Sequence, residues 1–95
     1  MSAYIVFTRD KTLDQVELET YATQVKPTLG SFGMKSLAVY GKHEVFEGPA
    51  IEGMVIIEFP TMEDATSWYK SPEYQAAREH RFKGAEYRCV LVEGV

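Results

Sequence analysis

The segment Met54-Val55-Ile56-Ile57-Glu58-Phe59, stopped by Pro60, constrains the fold of this chain more than any other. Successive side chains of a strand point to opposite faces, and here both sets are apolar, so such a strand must be covered on both sides. Glu58 is its only charge. A carboxylate in that setting has to find a partner, shift its pKa or reach a cavity. Beyond Pro60, Thr61 and Asp64 stand at capping-box spacing and open a helix whose apolar face carries Met62, Ala65, Trp68 and Tyr69. Ser71-Pro72-Glu73 ends that helix and starts another, since Ser caps, Pro fits the first helical position and Glu complements the dipole. Tyr74, Ala77 and Arg81 then share one face, with Arg78 adjacent.

The rest of the chain supplies partners for this unit. Ala3 to Thr8 is rich in β-branched and aromatic residues and reads as a first strand, followed by the polar loop Arg9-Asp10-Lys11. Thr12 with Gln15 is expected to cap a helix whose stripe is Leu18, Ala22, Val25, Leu29 and Phe32, with Tyr21 beside it. Pro27 should kink or restart that helix and Gly33 should end it. Met34 to Gly41 reads as strand two, extended by Glu44 to Glu47 beyond a bulge or turn at Gly41-Lys42-His43, and Glu86 to Glu93 as the last strand.

The order strand, helix, strand, strand, helix pair, strand is the split βαβ arrangement of α+β, ferredoxin-like folds: one domain over residues 1–95 with a four-stranded antiparallel sheet and helices on one face. Both faces of that sheet are apolar. Ile5 and Phe7 oppose Tyr4 and Val6; Val55, Ile57 and Phe59 oppose Met54 and Ile56; Cys89 and Leu91 oppose Val90 and Val92. With helices for only one side, the economical cover for the other is a second copy of the same sheet, giving a homodimer through the face opposite the helices.

Composition narrows the partners. A net charge of -4 and a pI near 5.1 lack the basic footprint expected for nucleic acid or anionic membrane. The apolar runs are strand-sized and no basic segment followed by a long apolar run opens the chain, so a soluble cytoplasmic protein is expected. The single cysteine, Cys89, is expected as a buried thiol within an apolar strand.

Val55-Ile56-Ile57-Glu58-Phe59-Pro60, Trp68-Tyr69, Ser71-Pro72-Glu73-Tyr74-Gln75, Arg81 and Val92-Glu93-Gly94, with Glu47-Gly48 and Lys26-Pro27, resemble the bacterial family called domain of unknown function 1330. The resemblance implies a dimeric α/β barrel, two ferredoxin-like subunits packed sheet to sheet, as in antibiotic-biosynthesis monooxygenases, muconolactone isomerases and haem-degrading oxygenases. It implies no reaction, because these relatives run different chemistry on one scaffold.

Glu58 is the candidate catalytic residue, as a general acid or base in a dry cavity. The plainer account is an ion pair with Arg9, Arg81 or Arg88, or a carboxylate reaching solvent at the strand end. Tyr4 is a candidate to hydrogen-bond a ligand from the barrel face of strand one, against packing at an interface rim. Tyr74 and Arg81 could present a phenol and a guanidinium to a small carboxylate or enolate, against helix-to-sheet packing for Tyr74 and a clamp on Glu58 or a strand carbonyl for Arg81. Trp68 and Tyr69 read as core. His80, between Glu79 and Arg81, is the one helical histidine, and without a second ligand at regular spacing no haem or metal site is expected. His43 reads as surface.

No nucleophile elbow, phosphate loop, paired-cysteine zinc pattern or zinc-protease motif occurs. An RNA-recognition module would need a basic-aromatic signature, and an acylphosphatase a glycine-bearing loop after strand one; both are lacking. The leading expectation is an uncharacterised dimer acting without a cofactor on a small organic molecule in the barrel cavity, as a monooxygenase- or isomerase-like enzyme. A non-catalytic ligand-binding or stress-related module is the alternative.

Overall fold

A computed structural model describes all 95 residues, 1–95. Four strands, β1 (Ala3–Thr12), β2 (Lys35–Val39), β3 (Gly53–Phe59) and β4 (Ala85–Glu93), form one antiparallel sheet in the order β2-β3-β1-β4. Helices α1 (Gln15–Val25), α2 (Met62–Lys70) and α3 (Pro72–Gly84) lie on one face. This is the expected α+β, ferredoxin-like arrangement. No helix is long and apolar enough to cross a membrane.

The caps beyond Pro60 form as the sequence implies. Thr61 Oγ1 accepts from Asp64 N–H at 3.0 Å, and Ser71 Oγ accepts from Tyr74 N–H at 3.3 Å with Pro72 in the first turn. Each cap satisfies a helix-start donor that would otherwise be orphaned.

The first half departs from expectation in three places. Thr12 does not cap α1: β1 runs on past a bulge between Arg9 and Lys11, Thr12 pairs with Ala85, and its hydroxyl donates to Glu52. Asp14 is the cap, its Oδ1 accepting from Val16 N–H at 3.0 Å and Glu17 N–H at 3.4 Å. A carboxylate two residues closer to the helix wins because the strand ladder already holds Thr12.

Second, α1 ends at Val25. Pro27 lacks an N–H and crowds the preceding turn, so the chain tightens into a single-turn helix at Lys26–Thr28 and, after Gly30 at φ 86°, another at Ser31–Gly33. The stripe therefore stops short, leaving Leu29 and Phe32 over 40% exposed. Third, β2 is shorter than expected and residues 44–47 form no strand; the chain from 40 to 52 is an exposed loop.

Between helices and sheet lies the core of Ile5, Phe7, Met34, Ile57, Phe59, Ala65, Trp68 and Tyr74. Trp68 is its hub. Its ring stands 4.0 Å from Tyr74 and 5.7 Å from Phe59 by centroid, and its indole N–H donates to the buried Thr28 hydroxyl at 3.2 Å. That bond ties the segment after Pro27 to α2.

Candidate functional site

Polar groups gather in two places, one on each face of the sheet. On the helix-free face the ladder sets cross-strand rows. Lys35, Glu58, Tyr4 and Val92 lie in one; Ala38, Ile56, Val6 and Val90 in the next; Met54, Thr8 and Arg88 in a third. The middle row is wholly apolar, and Val90 and Val92 are 55% and 51% exposed.

Glu58 thus sits directly between Tyr4 and Lys35, partly buried, and forms no ion pair. As a hydrogen-bond acceptor it holds the Tyr4 phenol above its ordinary range. The pairing of Glu58 with Arg9 or Arg88 does not occur. Arg81 cannot clamp it, because Arg81 belongs to the opposite face, in contact with Phe7.

Under the helices the arrangement is different. Tyr74 and Arg81 are 0% and 2% exposed. Arg81 makes no ion pair and its Nε finds no hydrogen-bond acceptor. Its guanidinium carbon lies 5.1–5.2 Å from the ring centroids of Phe7, Phe82 and Tyr87, so aromatic faces take the place of a carboxylate. A desolvated guanidinium without a counter-anion is costly, which marks the position.

Beside this cation is a chamber of about 100 Å³, lined by eleven residues of which Ser36 alone is neither aliphatic nor aromatic. Phe7, Tyr21, Tyr40, Tyr87, Val55 and Trp68 are among its walls. It adjoins an outer cleft of about 400 Å³ at the edge of α1, which shares Tyr21, Tyr40 and Tyr87 and adds Arg9, Glu19 and Lys26. A larger groove near Pro27, about 720 Å³, is polar and open to solvent.

The phenols of this chamber are paired. Tyr21 Oη and Tyr74 Oη are 3.0 Å apart, and the Tyr40 and Tyr87 hydroxyls share a second hydrogen bond. Burial pushes Tyr21 and Tyr40 well above the usual phenol range and raises Tyr74 as well, with Arg81 pulling each of them down less strongly. All three are neutral hydrogen-bond donors at physiological pH.

Local structure explains how Tyr40 arrives there. It occupies φ 51° just after β2, a region L-residues seldom adopt, and its N–H donates to Met54 O at 2.9 Å. Its ring lies over Gly53, where a Cβ would come within 2.7 Å of Cδ1. Arg9 covers that ring at 4.9 Å, and Glu52 holds Arg9 at 3.1 Å while also accepting from Thr12.

The expected site residues are therefore divided. Glu58 and Tyr4 meet on the open face; Tyr74 and Arg81 meet under the helices; the sheet separates the pairs. Tyr21, Tyr40, Tyr87 and Ser36 were not anticipated as site residues. Tyr87 was legible, since strand alternation puts it on the face of Cys89 and Leu91. Tyr40 was not, because its position depends on a left-handed turn and a distant glycine.

The remaining candidates are accounted for. His80 Nδ1 lies 2.6 Å from Glu17 Oε2 and Nε2 lies 3.3 Å from Gln24, so both ring nitrogens tie α3 to α1. No three His, Cys, Asp or Glu side chains converge as a metal site would require. Burial raises the Cys89 thiol above its ordinary range. His43 is exposed, as expected.

Solved structures of similar shape carry the same fold. A protein of unknown function from Rhodopseudomonas palustris is 15% identical, with a TM-score of 0.77 over 99% of this chain and 82% of that one. A dimeric protein of unknown function and ferredoxin-like fold from Bacteroides fragilis is 16% identical, with a TM-score of 0.62 over 98% and 96%. An ethyl tert-butyl ether d (ethd) family protein from Bacillus halodurans is 16% identical, with a TM-score of 0.67 over the whole of both chains. No curated protein matches the chain. At these identities the likeness concerns the fold alone. The family is identified separately, by a profile that matches residues 2–95, and the chain belongs to the family described as Domain of unknown function (DUF1330).

Proposed function

We propose that the protein is a cytoplasmic homodimer that binds a small organic molecule, without a cofactor, in the chamber between α1 and the sheet. The observation that carries this reading is an apolar chamber walled by paired phenols beside a buried guanidinium that has no counter-anion. Preformed apolar pockets with a few convergent polar groups are the usual form of a small-molecule site. No carboxylate or histidine lines the chamber, and its tyrosines are poor bases. That favours recognition of a ligand over proton abstraction inside this chamber.

The dimer reading rests on the apolar row Ile56, Val6 and Val90, half-buried at the first two and exposed at Val90, on a sheet whose helices cover one side only. The structurally similar protein described as dimeric supports it.

Thermal shift against a panel of small aromatic and aliphatic acids tests the binding reading, because a ligand bound only by the native state raises apparent stability. At least one member should stabilise the wild type, and Val25→Phe, filling the chamber, should abolish that shift. Stabilisation that survives the filled chamber would overturn the assignment.

A second reading is favoured by Tyr4 and Glu58. Their direct pairing beside Lys35, on a face that a second copy would enclose, supports a proton-transfer site at the dimer interface. Under this reading Glu58 is the acid or base and Tyr4 the oxygen-binding donor. Loss of turnover of a stabilising ligand in Glu58→Gln, with dimer mass unchanged, is the expected outcome; turnover at the wild-type rate would remove Glu58 from the chemistry.

A further inference from the structure

The chemical class of the ligand follows from counting hydrogens around the chamber, an inference that rests on the binding reading above. A phenol has one hydrogen to donate and an oxygen to accept with; a guanidinium only donates. Tyr74 is fully buried; Arg81 can only donate to its oxygen, and Tyr21 Oη at 3.0 Å is the one acceptor its hydroxyl hydrogen reaches. A buried hydroxyl hydrogen left without an acceptor costs about 1–3 kcal/mol, so Tyr74 donates to Tyr21. The hydrogen of Tyr21 is then left over, on a residue that lines the chamber and makes no other hydrogen bond.

The second pair gives the same result. One hydroxyl hydrogen is used between Tyr40 and Tyr87, the other meets no acceptor within the protein, and both residues line the chamber at a place where Tyr40 is 42% exposed. Ser36, the remaining hydroxyl in the wall, brings a hydrogen with its acceptor and leaves the balance unchanged. Behind the walls stands Arg81, against the rings of Phe7 and Tyr87, with donors and no anion. The lining thus offers two donors, one from Tyr21 and one from the Tyr40–Tyr87 pair, beside a buried positive charge; its spare acceptors are the oxygen of the donating member of that pair and the Ser36 hydroxyl.

We propose that the chamber takes a small planar molecule presenting an oxyanion or strongly polarised carbonyl, such as a phenolate, enolate or aromatic carboxylate, received by Tyr21 and the Tyr40–Tyr87 pair, with Arg81 as the buried counter-charge. The chain Arg81, Tyr74, Tyr21 carries polarisation from the guanidinium to the ligand oxygen, each donor strengthened by the one behind it. Hydrogen bonds aimed at an oxygen in a dry site favour its charged form.

Para-nitrophenol is a suitable probe, since its ionised and neutral forms differ in colour. Titrated in the presence of saturating wild-type protein, its apparent pKa should fall below the value in buffer. Tyr21→Phe should weaken nitrophenolate binding roughly 10-fold or more, the worth of one charge-assisted hydrogen bond, and return the apparent pKa toward that of free nitrophenol. Binding of toluene, read by thermal shift, should be unaffected by the same variant. A bound nitrophenol whose pKa rises or stays put overturns the proposal whatever the variants do, because an apolar chamber alone favours the neutral phenol. Nitrophenol and toluene that both fail to bind would instead remove the chamber as a site.

Discussion

The two faces of the sheet handle polar residues in opposite ways. Under the helices, Arg81 and Tyr74 are enclosed by the chain's own aromatic rings, and the Tyr21–Tyr74 and Tyr40–Tyr87 bonds form within the subunit, each leaving one hydroxyl hydrogen unused. On the open face, Glu58, Tyr4 and Lys35 border an apolar row that nothing in the chain covers. A polar group enclosed by its own subunit can be a preorganised binding element, whereas one at an uncovered face takes its final environment from whatever docks there. The proposed function follows this difference, with ligand recognition on the first face and assembly on the second.

The comparison breaks most readily at Trp68. Trp68→Ala should destabilise the fold by about 3–5 kcal/mol, as large-to-small aromatic substitutions in cores do, and it also removes the bond to Thr28. Chemical denaturation measures this; a loss under about 1 kcal/mol would mean that the helix-side core is not the enclosed unit described.

Alkaline pH sharpens the comparison next. Tyr21, Tyr40 and Tyr74 are raised from 10.0 in the native state, so above about pH 10 the unfolded chain has lost protons that the native chain keeps. The stability these phenols supply is fully present below pH 10 and falls as pH rises, by about 1.4 kcal/mol per pH unit for each enclosed phenol ionised only when unfolded, and by less for Tyr40, which is 42% exposed and screened by solvent. Phenolate absorbance and circular dichroism should therefore change together. Three phenols titrating freely in a folded protein would contradict the enclosure.

Ile56→Asp addresses the open face. It puts a second carboxylate beside Glu58 in the middle row and should halve the mass seen by light scattering at micromolar concentration, with helical circular dichroism retained. A wild-type protein that is already monomeric there would remove the assembly role.

The smallest effect distinguishes two caps. Asp14→Ala should cost about 1 kcal/mol through loss of the α1 cap, whereas Thr12→Ala, which removes an exposed side-chain bond to Glu52, should cost less. The reverse order would restore Thr12 as the cap.

What was legible in the sequence was whatever depends on neighbours in the chain. Alternation within Met54 to Phe59 separated Glu58 and Ile56 from Ile57 and Phe59, and the Thr61 and Ser71 caps form because their acceptors need only backbone N–H groups three residues on. The same local logic placed Tyr74 and Arg81 together on α3. It failed at Thr12, where the ladder to Ala85 outweighed a capping pattern, and at Leu29 and Phe32, where Pro27 ended the periodicity.

The sequence by itself determined the element order, the two-sided apolar sheet and the membership of Glu58, Tyr4, Tyr74 and Arg81 in the polar minority. Only the tertiary structure decided that these four lie on two faces rather than together, because sheet faces are separated by the thickness of the sheet, a distance that no spacing along the chain encodes. It alone decided the chamber as well. Tyr21 comes from a helix, Tyr87 from the last strand and Tyr40 from a left-handed turn over Gly53, and their hydroxyls converge only after non-local packing has closed α1 onto the sheet.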